Sequence, residues 1–91
     1  MERDLAFVVD KKLPAQDLLD YVEANGGEFL ESVEVFDVYF GKGIEDGKKS
    51  IALKLAFRHK ERTLKEKEIV PTVDSLIEGI ETKFQGQLRS K

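Results

Sequence analysis

The chain has 91 residues, no cysteine and a single histidine, which excludes disulfides, thiolate metal sites and the usual histidine zinc sites. A hydrophobic content of 41% with 36% charged residues is typical of a globular domain, and the net charge of -3 argues against strong stand-alone binding to nucleic acid. No apolar run is long enough to span a bilayer, and no secretory signal is evident. We therefore expect one cytoplasmic domain over residues 1–91.

The N-terminal part predicts a strand followed by a helix. The segment DLAFVVD (Asp4–Asp10) is short and rich in β-forming residues. Pro14 is tolerated in the first turn of a helix, and the Asn-Gly-Gly at residues 25–27 ends it, since these residues accept positive φ. An apolar stripe marks the buried side of this helix: Ala15, Leu18, Leu19 and Val22.

Two β-rich segments follow. The first runs from Glu28 to Phe40, and its apolar alternation slips, which indicates a bulge or bend near Val33–Val35. The second, Ser50–Arg58, alternates regularly, so one of its sides faces a core and the other faces a polar environment. The predicted core side consists of Ile51, Leu53, Leu55 and Phe57.

The glycine- and lysine-rich segment between these strands is a candidate phosphate loop. Such a loop has the pattern G-x-x-x-x-G-K-[ST] and leads into a helix. Counting back from Gly47, Lys42 stands where the first glycine should be, and Lys49 stands where serine or threonine should follow the lysine. Because a strand follows, no helix N-terminus is present to hold a phosphate. We therefore predict a glycine-rich hairpin connection.

The C-terminal part predicts a second helix and a short strand, GQLR, at residues 86–89. Thr63 and Glu66 have the spacing of a capping box, and Pro71 is expected to kink the helix or delay its regular start. The buried side of this helix is marked by Ile69, Val73, Leu76, Ile77, Ile80 and Phe84. The order β-α-β-β-α-β predicts an α+β ferredoxin-like sandwich, with a four-stranded antiparallel sheet, two helices on one face and the other face open.

The open face carries the candidate site. If Phe36 and Val38 face the helices, the opposite face includes Asp37, Tyr39, Ser50, Ala52 and Lys54. An exposed aromatic ring beside small and polar residues is how open sheets stack unpaired bases, and we expect Ser50 and Lys54 to be exposed there. In such a site Tyr39 would supply the ring, Ala52 would leave space, and Asp37 would accept from a base amine. An exposed tyrosine without a ligand is also common, so these residues alone leave both interpretations open. The candidates for contacts with the RNA backbone are Lys48, Lys49, Lys54 and Arg58.

Segments spread along the chain resemble one family. These segments are RDLAFVVD, ESVEVFDVY, GKKSIAL, RTL and the final LR. Together, from about Arg3 to Arg89, they resemble the ferredoxin-fold anticodon-binding domain at the C-terminus of the phenylalanyl-tRNA synthetase beta chain. In that family the F-D-x-Y strand and the serine of the G-x-K-S strand contact anticodon bases, which implies this role for Asp37, Tyr39 and Ser50. Lys65 occupies the family's usual cap position, so Thr63 is expected to take over as cap.

The resemblance also implies the setting of the domain. It implies a non-catalytic module without a cofactor that binds the anticodon stem-loop of the phenylalanine tRNA and has no membrane contact. Its other partners are then the rest of the beta chain and the alpha chain. In the bacterial (αβ)2 enzyme, the alpha chain performs aminoacylation with ATP and magnesium. A mitochondrial form carries the same domain on a single chain.

Two other functions share the fold. An acylphosphatase-like enzyme needs an arginine in a phosphate-binding loop after the first strand, whereas residues 10–14 are lysine-rich, lack glycine and end in proline. A regulatory domain of this fold would bind a small molecule, such as an amino acid, between paired copies. Both alternatives stay open from the residues alone, and the acylphosphatase-like enzyme fits them less well.

Overall fold

All six predicted elements form, in the predicted order. The computed structural model describes residues 1–90, with side chains through residue 89. The elements are β1 (Glu2–Asp10), α1 (Ala15–Asn25), β2 (Leu30–Tyr39), β3 (Lys48–Phe57), α2 (Glu66–Phe84) and β4 (Gln87–Ser90). The strands form one antiparallel sheet in the order β2-β3-β1-β4, which confirms the predicted ferredoxin-like α+β fold. Within residues 1–90, neither helix is long and apolar enough to cross a membrane.

The hydrophobic core lies between one face of the sheet and both helices. Every second residue of the central strands is buried there: Leu5, Phe7 and Val9 of β1, and Ile51, Leu53, Leu55 and Phe57 of β3. The helices contribute Leu18, Val22, Ile69, Val73, Leu76, Ile77 and Ile80. Fully burying one such side chain stabilises a protein by about 1.5–3 kcal/mol. This face therefore carries the apolar core of the fold.

The start of α2 differs from the prediction. Lys65 is the N-cap residue and the helix begins at Glu66, so the predicted cap at Thr63 is wrong. The Lys65 ammonium cannot accept a hydrogen bond, and the carboxylate of Glu68 supplies the cap by accepting the Lys65 backbone N–H at 2.8 Å. Pro71 lies inside the continuous helix, which begins five residues before it, so the proline does not delay the start of the helix.

The carboxylate of Glu68 also binds Arg62, and this pair anchors the segment before α2. The Arg62 guanidinium donates two hydrogen bonds to it, at 2.6 and 2.9 Å. These hydrogen bonds, followed by the one from the Lys65 N–H, lower the pKa of Glu68 from 4.5 to about 2. Charge-assisted bidentate pairs of this kind are stronger than neutral hydrogen bonds. Through Glu68, the pair joins the segment before the helix to the first turn of the helix.

The edge strand β2 contains two register shifts against β3. They fall between Leu30 and Ser32 and between Val35 and Asp37, so the extra residues are at positions 31 and 36. The pairing is regular from Ser32 to Val35. Instead of the one bulge predicted near Val33–Val35, the strand therefore has two bulges, one on each side of this segment. At a bulge, two residues of one strand oppose one residue of the other, which accounts for the slip in the apolar alternation.

The β2–β3 connection is the predicted glycine-rich hairpin. Its three glycines, Gly41, Gly43 and Gly47, have φ of 115°, 89° and 83°. An added Cβ would meet nothing within 4 Å at any of them, so the backbone conformation, and not lack of space, is what requires glycine. The segment leads into β3 rather than into a helix, in agreement with the rejection of a phosphate loop.

Candidate nucleic-acid interface

The sheet face opposite the helices brings residues of β1, β2 and β3 together. In the middle of the sheet, strand pairing aligns residues of β2, β3 and β1 in two rows of three. These rows are Tyr39–Ser50–Val8 and Asp37–Ala52–Ala6. The predicted residues of this face therefore do lie side by side, with small side chains at its centre.

Tyr39 lies at the β2 edge of this face and is 38% exposed. Its hydroxyl donates a hydrogen bond to the carbonyl oxygen of Lys42 at 2.9 Å. The guanidinium carbon of Arg89, on the opposite edge strand β4, lies 5.6 Å from the ring centre. This is a cation–π distance. The contact between Tyr39 and Arg89 thus reaches across the two central strands and fixes the ring.

Ser50 is only 4% exposed, so the expectation that it is a surface residue is wrong. It is paired with Tyr39 on one side and with Val8 on the other, and the contact between Tyr39 and Arg89 spans this part of the sheet. The serine hydroxyl therefore lies at the base of the face. A ligand reaches it only when the side chains that cover it move.

Phe36 lies on the open side, which corrects the predicted face assignment. It is the extra residue of the second bulge, is 52% exposed and is not part of the hydrophobic core described above. The ammonium of Lys54 lies 5.6 Å from the centre of its ring. Because Lys54 alternates with the buried residues of β3, its contact with Phe36 is made away from the helices. Val38, by contrast, pairs with Ile51 on the helix side and is 40% exposed at the sheet edge.

The predicted phosphate-binding residues of β3 do not all share this face. Lys48 and Lys54 have the same parity as Ser50. Lys49 pairs with Val9, which is fully buried, so Lys49 has the parity of the helix-facing side. Lys54 is itself flanked by two carboxylate positions, Asp4 and Glu34. The face is therefore mixed in charge rather than strongly basic.

Arg58 lies far from Tyr39. It follows the end of β3, whereas Tyr39 pairs with Ser50 near the start, and at about 3.3 Å per residue the separation along the strand is about 25 Å. The Arg58 guanidinium also lies 3.6 Å from the carboxylate of Glu31. The cation close to Tyr39 is instead Arg89, which was not predicted as a site residue.

Within residues 1–90, no group of three or more histidine, cysteine, aspartate or glutamate side chains is arranged to hold a metal ion. The open face carries aromatic rings, carboxylates, a hydroxyl and basic groups. These groups stack, donate and accept hydrogen bonds, and pair with anions.

Comparison with known proteins defines the class of this domain. The family of the ferredoxin-fold anticodon binding domain matches residues 1–89, and the chain belongs to this family. The chain is similar to the phenylalanine–tRNA ligase beta subunits of Vibrio vulnificus, Shewanella oneidensis and Bacillus licheniformis, with identities of 42%, 44% and 44%. Each similarity covers 87 residues, which is 96% of this chain and 11% of the relative. The chain thus spans about 11% of the length of these relatives.

Proposed function

We propose that this chain is the anticodon-binding domain of a phenylalanine–tRNA ligase beta subunit. Its open sheet face then binds the anticodon stem-loop of the phenylalanine tRNA. The observation that carries the proposal is the exposed Tyr39 ring, with a guanidinium at 5.6 Å and the carboxylate-bearing residue Asp37 nearby on the same strand. The family assignment and the names of the relatives support it.

Each residue of the proposed site has a role that follows from its chemistry. Single-stranded loops are recognised by stacking unpaired bases on aromatic rings and by hydrogen bonds to the base edges. Tyr39 stacks a base, and Asp37 accepts a hydrogen bond from an exocyclic amine of a base. Ala52, which pairs with Asp37, leaves room above the sheet. Ser50 both donates and accepts hydrogen bonds, once the side chains covering it are displaced.

The electrostatics predict modest affinity for the domain alone. The net charge is -3, and the two lysines of β3 on this face, Lys48 and Lys54, neutralise few phosphates together with Arg89. Since phosphate neutralisation supplies most non-specific affinity, the rest of the enzyme contributes the remainder.

The parent that we propose is a cytoplasmic synthetase of (αβ)2 architecture. Its alpha chain uses ATP and magnesium to attach phenylalanine to the tRNA. In this scheme the present domain performs no chemistry and requires no cofactor. It contributes binding and positioning of the tRNA.

The test is binding of the 91-residue protein to two fluorescently labelled RNA hairpins at low ionic strength. One hairpin carries the anticodon loop of the phenylalanine tRNA, and the other has the same stem with the anticodon replaced. The first should bind more tightly, and Tyr39→Ala should weaken it about five- to 150-fold, the range for loss of one aromatic–base stack. Tyr39→Phe keeps the ring and should bind like the wild type. Equal binding of the two hairpins would contradict the proposed function.

A further inference from the structure

Phe36 and Tyr39 form a pair of exposed aromatic rings along the edge strand β2. Their exposures are 52% and 38%. They are three positions apart on one strand, which corresponds to about 10 Å at about 3.3 Å per residue. Asp37 lies between them. The face therefore presents two aromatic surfaces with a hydrogen-bond acceptor between them.

Each ring has its own cation. The Arg89 guanidinium lies 5.6 Å from the Tyr39 ring centre, and the Lys54 ammonium lies 5.6 Å from the Phe36 ring centre. The cations come from two different strands, β4 and β3. A positive group therefore lies over each ring, and a stacking base would take its place there.

Packing within the domain does not account for the position of Phe36. Phe36 is the extra residue of the bulge, and it is not among the residues of the hydrophobic core. Bulges often re-aim a side chain near a functional site. An exposed phenylalanine has no hydrogen-bonding group, so its ring offers a ligand only an apolar and π surface.

We propose that Phe36 is a second base-stacking platform, on which an unpaired nucleotide next to the one on Tyr39 stacks. The inference rests on the proposed function and deepens it, because it assigns two stacked nucleotides to β2 instead of one. RNA-binding sheets commonly stack two or three bases on neighbouring aromatic residues. Lys54 then pairs with a phosphate of the bound strand, and the RNA runs along β2 with Asp37 between the two bases.

The experiment uses three substitutions at Phe36 and one matched control. Phe36→Ala and Phe36→Leu remove the ring, and Phe36→Tyr keeps it. Val38→Ala, on the same strand and also exposed but on the helix side, is the control. The probe is the hairpin with the phenylalanine anticodon loop, together with a series of hairpins in which one loop nucleotide at a time is abasic.

Loss of the ring should weaken binding about five- to 150-fold in both Phe36→Ala and Phe36→Leu. Phe36→Tyr and Val38→Ala should bind like the wild type. The loss caused by Phe36→Ala should disappear on one abasic hairpin, because that hairpin already lacks the stacked base. Tyr39→Ala should show the same behaviour with the abasic site at the adjacent nucleotide. Urea unfolding of each variant checks that the fold is retained, and Phe36→Leu keeps an apolar side chain at the bulge.

The outcomes separate this inference from the proposed function. If Tyr39→Ala weakens binding while Phe36→Ala and Phe36→Leu behave like Val38→Ala, the second platform is wrong and the proposed function stands. A loss in the Phe36 variants that is the same on every abasic hairpin also overturns the inference, because the ring then acts on the shape of the face rather than on one base. If the wild type does not distinguish the anticodon hairpin from the replaced one, the proposed function fails and this inference fails with it.

Discussion

Phe57 and Phe36 are a matched pair that tests the two faces of the sheet. Phe57 lies in the central strand β3, is 2% exposed and belongs to the hydrophobic core. Phe36 lies at a bulge of the edge strand and is 52% exposed. The same substitution, phenylalanine to alanine, removes a buried ring at one position and an exposed ring at the other.

Phe57→Ala should lower the free energy of unfolding by about 3–5 kcal/mol, since it loses the transfer free energy of the ring and leaves a cavity. The backbone hydrogen bonds between Phe57 and Met1, at 2.7 and 3.1 Å, do not involve the side chain, so the loss is one of packing. A domain of this size has a stability of about 5–14 kcal/mol at about 0.05–0.15 kcal/mol per residue. At about 4–8 °C per kcal/mol, the Tm should fall by about 12 °C or more.

The assay is urea and thermal unfolding of the wild type and both variants, followed by circular dichroism. Phe36→Ala should change the free energy of unfolding by no more than about 0.5 kcal/mol, as is usual for exposed positions. Equal losses in the two variants would refute the face assignment, because Phe36 would then belong to the core.

Three further predictions concern charge and burial. The pKa of Glu68 is lowered from 4.5 to about 2, so the stability that its carboxylate contributes is present above pH 4.5 and is lost as the pH falls toward about 2. Glu68→Gln should therefore flatten the acid dependence of the free energy of unfolding, measured by urea titration. An unchanged dependence would contradict the role of the pair with Arg62. Ser50→Leu should cost about 1–3 kcal/mol, because the site is nearly closed, and a thermal melt identical to that of the wild type would show that it is open. Lys48→Ala should reduce the slope of log K for RNA hairpin binding against log salt concentration by about 0.7. Lys49→Ala, on the other face, should leave this slope unchanged. Equal effects would contradict the assignment of the two lysines to opposite faces.

The central part of the fold follows directly from the sequence. The alternation of β3 predicts its buried face correctly because β3 is a central strand and pairs regularly with β1 along its length. The apolar positions of α2, such as Ile69 and Leu76, were likewise predicted because burial against a single face imposes helical spacing. In both cases one dominant force, the burial of apolar side chains, produces the pattern.

The edge of the sheet was predicted less well, for a physical reason. Each bulge in β2 shifts the parity of the strand by one residue, and an exposed edge strand tolerates either arrangement, so Phe36 was placed on the wrong side. Arg89 was missed as a neighbour of Tyr39 because their contact joins opposite edges of the sheet and depends on the register of β4, which shifts between Ala6 and Phe7. Local sequence patterns carry no information on such long-range registers.

The start of α2 shows a competition between two local signals. Thr63 has a hydroxyl that suits an N-cap, and Lys65 has no acceptor. The Glu68 carboxylate nevertheless satisfies the Lys65 N–H while it binds Arg62. The pair between Arg62 and Glu68 joins a residue before the helix to one inside it. Capping preferences describe single residues, so they do not predict such a pair.

The measurement that tests the central claim most directly uses the proposed parent synthetase, as wild type and as Tyr39→Ala, with Tyr39→Phe as control. Pyrophosphate exchange reports phenylalanine activation by ATP, and aminoacylation of the phenylalanine tRNA reports charging. If the open face binds the anticodon, Tyr39→Ala leaves activation unchanged and lowers kcat/KM for charging by about five- to 150-fold, while Tyr39→Phe retains it. If Tyr39→Ala charges the tRNA as well as the wild type does, the open face is not the recognition surface.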